Sequence, residues 1–231
     1  MKTIAIIQAR LGSKRLPNKV LLPIGGKPML WHVVNRVRQV RLIDSVLVAT
    51  TDLPEDDAIL DFCVREGVSC TRGSATDVLD RYLKAAHLVN ADVVVRVTGD
   101  CPLWCPQVGS RVVRRFLKGG YDYVSNVFPW RTWPDGLDTE VMSMATLKLL
   151  WEKAQLPSDR EHVTQYLHTH PDEFRFTNED HWAQLCLHRW TVDTAGDLAF
   201  MRSLYPLLPN DISTMPQTLK AIRRWHARLV N

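Results

Sequence analysis

The chain has 231 residues, 45% of them hydrophobic and 23% charged, with a formal net charge of only +4, the profile of an ordinary soluble globular protein. Outside the first loop its basic residues alternate with acids, so no extended basic stripe argues for nucleic acid as a partner. No stretch approaches the ~18 consecutive apolar residues that a membrane span requires.

The first apolar run, Thr3 to Ile7, is rich in β-branched residues and lacks alternation, which predicts a buried strand. It is about a strand long and is broken by Gln8 and Arg10, so it does not resemble a signal peptide, and a cytoplasmic location is expected. A short extended piece, Val20 to Ile24, closes on Gly25-Gly26. Met29, Leu30, Val33, Val34, Val37 and Val40 then recur at helical spacing behind Pro28. A second strand covers Val46 to Thr50, followed by a helix from Asp52 to Glu66 that opens on acids and ends at Gly67. A third strand, Val68 to Thr71, precedes a helix from Thr76 to about Val89, and a fourth covers Val93 to Thr98. This alternation predicts an α/β fold with a mainly parallel central sheet and helices on both faces.

Beyond Pro106 the order loosens. A helix over 106–118, a strand over 121–127 and a Trp- and Pro-rich loop over 128–136 come first. A strand over 138–143 and helices near 144–154 and 159–169 follow. Strands near 173–178 and 184–191 and helices over 195–204 and 215–229 complete the prediction, which adds an antiparallel extension to the parallel half. One domain over 1–231 is expected, with residues 1–105 and 106–231 as its two halves. Five scattered cysteines suit reduced thiols, and no second Cys or His pair stands at finger-like spacing from Cys101 and Cys105.

The segment after the first strand carries the strongest functional signal. Arg10, Lys14, Arg15 and Lys19 are four cations around Gly12-Ser13, at the carboxyl edge where α/β sheets bind ligands. Glycine lets backbone N–H groups approach a ligand while the cations neutralise phosphate charge. A solvated basic loop is the alternative. Gly26-Lys27 is followed by Pro28 and preceded at the required distance by Leu21, so it is not a Walker A loop. No dinucleotide fingerprint follows the first strand either. Asp100 lies two residues past the fourth strand, with Gly99 to turn the backbone, and could hold Mg²⁺ against phosphates or simply turn its own loop. Asp193 ends the 184–191 stretch, with Thr194 placed to cap the next helix.

The run Ala9-Arg10-Leu11-Gly12-Ser13-Lys14-Arg15-Leu16-Pro17-Asn18-Lys19, followed by Gly25-Gly26-Lys27-Pro28, resembles the opening of the sugar cytidylyltransferases. Within them it is most similar to the branch named for SpsF of spore coat polysaccharide biosynthesis. Thr191 to Leu198 is similar to that family's Val-Asp-Thr-Pro-Glu-Asp-Leu pattern, with Ala195-Gly196 in place of Pro-Glu. The resemblance implies a Rossmann-like nucleotide-diphosphosugar transferase fold, CTP and a sugar or sugar acid as substrates, and a homodimer. It implies Mg²⁺ on Asp100 and Asp193, with Arg10, Lys19 and Asp100 catalytic. It implies nucleotide binding by Gln8, Ala9, Arg10, Leu11, Gly12, Ser13, Arg15 and Lys19, with Ser74, Arg81, Asp77 and Asp80 as candidates for the base. Asp135, Asp138, Glu140, Arg160, His162 and Arg189 are implied on the acceptor side, each able instead to be a salt-bridged surface residue. Trp130 and Trp133 could stack on a sugar or bury under their own loop. Two other readings stand: a glycosyltransferase of the same fold, for which Gly99-Asp100-Cys101 lacks a D-x-D, and a non-catalytic nucleotide-sugar binding module.

Overall fold

The computed structural model describes residues 1–230. Strand β1 (Thr3–Gln8) runs between β4 (Ser45–Thr51) and β6 (Val93–Thr98), parallel to both, and β5 (Ser69–Gly73) joins β4 in parallel. Beyond β6, the strands β8 (Glu140–Ser143) and β7 (Tyr123–Ser125) pair antiparallel, and β9 (Phe176–Asn178) joins β7 in parallel. The seven-stranded order is β5-β4-β1-β6-β8-β7-β9. The expected α/β sheet with an antiparallel extension is what forms. A separate hairpin, β2 (Pro23–Ile24) with β3 (Lys27–Pro28), turns on Gly25 and Gly26, both at positive φ, as tight hairpins demand.

Ile4 to Ile7 are all fully buried, because helices cover both faces of β1. Ala5 and Ile7 share one core with Val33 of α1 (Met29–Val37), Phe62 of α2 (Asp57–Arg65) and Val112 of α4 (Pro106–Leu117). Ile4 and Ile6 point the opposite way, into a core with Tyr82 of α3 (Val78–Leu88) and Leu147 of α5 (Met144–Lys153). A third core gathers Leu103, Trp133, Trp190 and Leu198 beneath α8 (Ala195–Leu204) and α9 (Met215–Val230).

Two local predictions need correction. Residues 184–191 form no strand, and the only pairing there is an isolated bridge between Asp135 and Arg189. Trp190 and Val192 are instead buried in the third core while Arg189 faces out, in an extended strap whose backbone bonds to Asp135 and Asp100. The helix expected over 159–169 is two, α6 (Pro157–His162) and α7 (Gln165–Thr169). Between them Val163 takes φ +58°, and Thr164 N–H donates across it to His162 C=O at 2.6 Å. A β-branched residue rarely adopts that region, and complete burial of the Val163 side chain holds it there.

Candidate active site

The carboxyl ends of β1 and β6 open into one cleft of about 530 Å³. Gly99 makes the junction possible, since a Cβ there would come within 2.9 Å of the Gln8 carbonyl. The basic loop is held from below by Asp56. This buried carboxylate accepts the Leu11 N–H at 2.7 Å on one oxygen and the Thr51 hydroxyl on the other. Within the loop, Leu11 C=O accepts from Ser13 at 2.7 Å and from Asn18 at 3.1 Å. The Ser13 N–H is therefore spent, whereas those of Gly12, Lys14 and Arg15 have no partner among the described residues.

Lys19 lies at the centre. Its ammonium donates to Asp100 Oδ2 at 2.7 Å and Asp193 Oδ1 at 2.8 Å, and its side chain is only 12% exposed. Burial opposes its charge, but the two carboxylates outweigh burial and raise its pKa. Asp193 also takes Arg15 at 2.9 Å and Arg189 at 2.6 Å. Partial burial pushes the Asp193 carboxyl upward, yet the hydrogen bonds from Lys19 and Arg189 prevail and hold it below the usual range. Two residues 93 positions apart in sequence meet because Val192 N–H donates to Asp100 C=O at 2.9 Å, laying the strap across the end of β6. The capping box of Thr194 and Asp197 then starts α8 directly after Asp193.

Six cations, Arg10, Lys14, Arg15, Lys19, Arg81 and Arg96, line the cleft against three acids, so its field favours a polyanion. Arg81 is 2% exposed, its guanidinium donates to the Ser74 carbonyl at 2.9 Å, its only partner among the described residues, and burial lowers its pKa. Among the described residues no group of three His, Cys, Asp or Glu could hold a metal. Magnesium needs only one or two protein carboxylates beside substrate phosphates. Asp100 and Asp193 provide two, already converged on one cation, so they fit Mg²⁺.

Of the residues singled out in the sequence, Gln8, Ala9, Arg10, Gly12, Ser13, Arg15, Lys19, Arg81, Asp100, His162 and Asp193 share this cleft. Leu11 turns into the core. Ser74 is spent on its own turn, accepting from Asp77 N–H at 2.9 Å. Asp77 caps α3, and Asp80 pairs with Lys84. Asp135 and Asp138 lie outside the cleft lining, paired with Arg189 and Arg131. Arg160 is tied to Ala154 C=O and Asp77 and covers Trp151. Glu140 does not face the cleft: it is 3% exposed and paired with Arg96. Trp133 is buried under its loop, and Trp130 is 59% exposed. Glu161, the acid of the 160–164 cluster, also lines the cleft, whereas Arg96 and Thr98 were not foreseen there. Arg96 had a signal, as the one charge within an otherwise apolar strand.

Comparison with known proteins identifies the family of this fold. The chain is 35% identical over 210 residues to the spore coat polysaccharide biosynthesis protein SpsF of Bacillus subtilis, covering 87% of this chain and 85% of that one. It is 38% identical over 119 residues to a 3-deoxy-manno-octulosonate cytidylyltransferase of Pelobacter propionicus, covering 51% of this chain and 45% of the relative. The structure of a cytidylyltransferase from Leptospira borgpetersenii superposes with a TM-score of 0.94 at 32% identity, over 98% of this chain and 96% of that one. The family model described as Cytidylyltransferase matches residues 4–219. With that span of the fold and its cleft accounted for, the chain belongs to the cytidylyltransferase family.

Proposed function

We propose that the protein transfers the cytidylyl group of CTP to an oxygen of a sugar acid or related sugar, for the synthesis of a surface polysaccharide or glycan. The observation that carries this is Lys19 clasped between Asp100 and Asp193 under a basic loop. A relative named for 3-deoxy-manno-octulosonate, a sugar acid, and another named for spore coat polysaccharide support the choice of acceptor.

The acceptor oxygen attacks the α-phosphorus in line. A new P–O bond forms, the α–β bond breaks and pyrophosphate leaves with the electron pair, while a hydroxyl acceptor also releases its proton. Such transfers depend on positioning and charge neutralisation. Arg10, Arg15, Lys19 and the free N–H of Gly12 would hold the triphosphate and stabilise the charge that grows on the leaving group. Asp100 and Asp193 would hold Mg²⁺, which supplies further charge neutralisation on the phosphates when bound. Lys19 would exchange carboxylate partners for phosphate oxygens, which accounts for its place between Asp100 and Asp193. Arg81 is proposed for the base, and His162 and Arg189 for the acceptor side.

The test is pyrophosphate release from each of the four nucleoside triphosphates with Mg²⁺, with and without a panel of sugar acids. Release that needs CTP and a sugar acid together is the expected result. Sugar-independent hydrolysis, or preference for another nucleotide, would contradict it.

A further inference from the structure

Below the cleft floor runs a line of polar side chains that the transfer chemistry leaves unused. Arg96 sits in the middle of β6 among valines, 14% exposed, and one arm of its guanidinium donates to Glu140 Oε1. The Tyr123 hydroxyl donates to Glu140 Oε2 at 2.7 Å and lies 3.2 Å from His168 Nε2. Arg96 Nε is buried without a partner among the described residues, so the guanidinium is held through its two terminal nitrogens, one on Glu140 and the other on Gln8. These partners therefore fix the guanidinium in one orientation.

The other arm of Arg96, Nη2, donates to Gln8 Oε1 at 3.3 Å. Guanidinium has donors only, so the Gln8 atom facing it must be the carbonyl oxygen. The Gln8 amide nitrogen is thereby left with no partner among the described residues, on a side chain that lines the cleft. An unrestrained glutamine can rotate and present either a donor or an acceptor. This one has its oxygen turned to Arg96.

We infer that Arg96, itself held by Glu140, is a positioning residue that locks the Gln8 carboxamide with its N–H donors toward bound substrate, so that Gln8 reads an acceptor atom. A ligand carbonyl, carboxylate or ring nitrogen at that place is accepted. A ligand N–H there meets donor with donor and is rejected. The shared chemistry has two sources under the proposed transfer reading, on which this inference rests: the O2 or N3 of the pyrimidine, or the carboxylate of the sugar acid.

Gln8→Glu separates them. It keeps the side chain's size, pairs with Arg96 and so retains the fold, but replaces the donor with an acceptor. CTP affinity is read by calorimetry, and the acceptor KM by steady-state pyrophosphate release. A rise of about tenfold or more in the CTP Kd assigns Gln8 to the base. An unchanged CTP Kd with a similar rise in acceptor KM assigns it to the sugar acid. In either case Arg96→Lys, which can still neutralise Glu140 but lacks the second arm, should raise the same constant with little change in kcat. The double variant should be no worse than Gln8→Glu alone. Both constants staying within about twofold of wild type in Gln8→Glu would overturn the inference. Arg96→Lys effects that add in full to those of Gln8→Glu would also overturn it. A wild-type chain inert toward CTP would instead sink the transfer reading and this inference together.

Discussion

Replacing Lys19 with methionine keeps most of the side-chain stem and removes the charge between Asp100 and Asp193. Breaking a fully buried ion pair costs about 3–5 kcal/mol, and an exposed one about 0.2–1 kcal/mol. This site lies between the two limits, with Asp100 25% exposed and Asp193 16% exposed. Asp193 keeps Arg15 and Arg189, so the loss falls mainly on Asp100, for which Lys19 is the only ion-pair partner among the described residues. Loss of a charge-assisted hydrogen bond, about 1.5–3 kcal/mol, is the fitting magnitude. For a chain of this length that lowers Tm by about 3–12 °C. The variant also leaves two carboxylates converged without their ammonium, so Mg²⁺ should stabilise it more than the wild type. At ten times its Kd, Mg²⁺ would return about 1.4 kcal/mol. Scanning calorimetry of both proteins, with MgCl₂ against NaCl at equal ionic strength, reads both effects. An unchanged Tm, or an equal Mg²⁺ response in the two proteins, would show that Lys19 does not neutralise this carboxylate pair.

Asp100→Asn and Asp193→Asn should lower turnover by comparable factors, and the double variant should lose little more than either single one, because groups acting as a unit are not additive. Full multiplication of the two losses would separate their roles. Asp193 has a depressed folded pKa, so its contribution to stability is present above the unfolded value of about 3.9 and is lost as pH falls through the folded one. The Tm gap between wild type and Asp193→Asn should accordingly narrow below about pH 4, and a gap independent of pH would contradict this. In Gly109→Ala the new Cβ would stand 2.2 Å from the fully buried Trp104 ring. Overpacking of that kind costs about 1–3 kcal/mol, seen as a lower urea midpoint at unchanged slope.

The parallel half was legible because its signals are local. β-branched runs mark buried strands, and the loop after β1 carries its cations in consecutive sequence. The convergence of Asp100 and Asp193 was legible only through the family pattern, since the link between them is a backbone hydrogen bond between residues far apart in the chain. Glu140 shows what periodicity cannot reach. Alternation put it on a strand, but which face of that strand holds an arginine depends on the register between β6 and β8, where Arg96 stands opposite Glu140. Asp56 has the same lesson: an acid at a helix start, it serves instead as the anchor of Leu11 across 45 positions. Ser74, Asp77 and Asp80 went to local capping and pairing, the ordinary fate of such residues at a helix start. The strap over 184–191 is extended without being a strand because Trp190, and Val192 just beyond it, are buried against helix residues such as Leu198 and Met201 and not beside a neighbouring strand.

Cytidylyl transfer is read from the fate of the α-phosphate. CTP labelled at the α-phosphate is incubated with the protein, Mg²⁺ and the panel of sugar acids, and the products are separated. The label is expected to move into a sugar-linked CMP, with unlabelled pyrophosphate formed in equal amount. Label recovered as free CMP, or remaining in CTP with every acceptor, would contradict it.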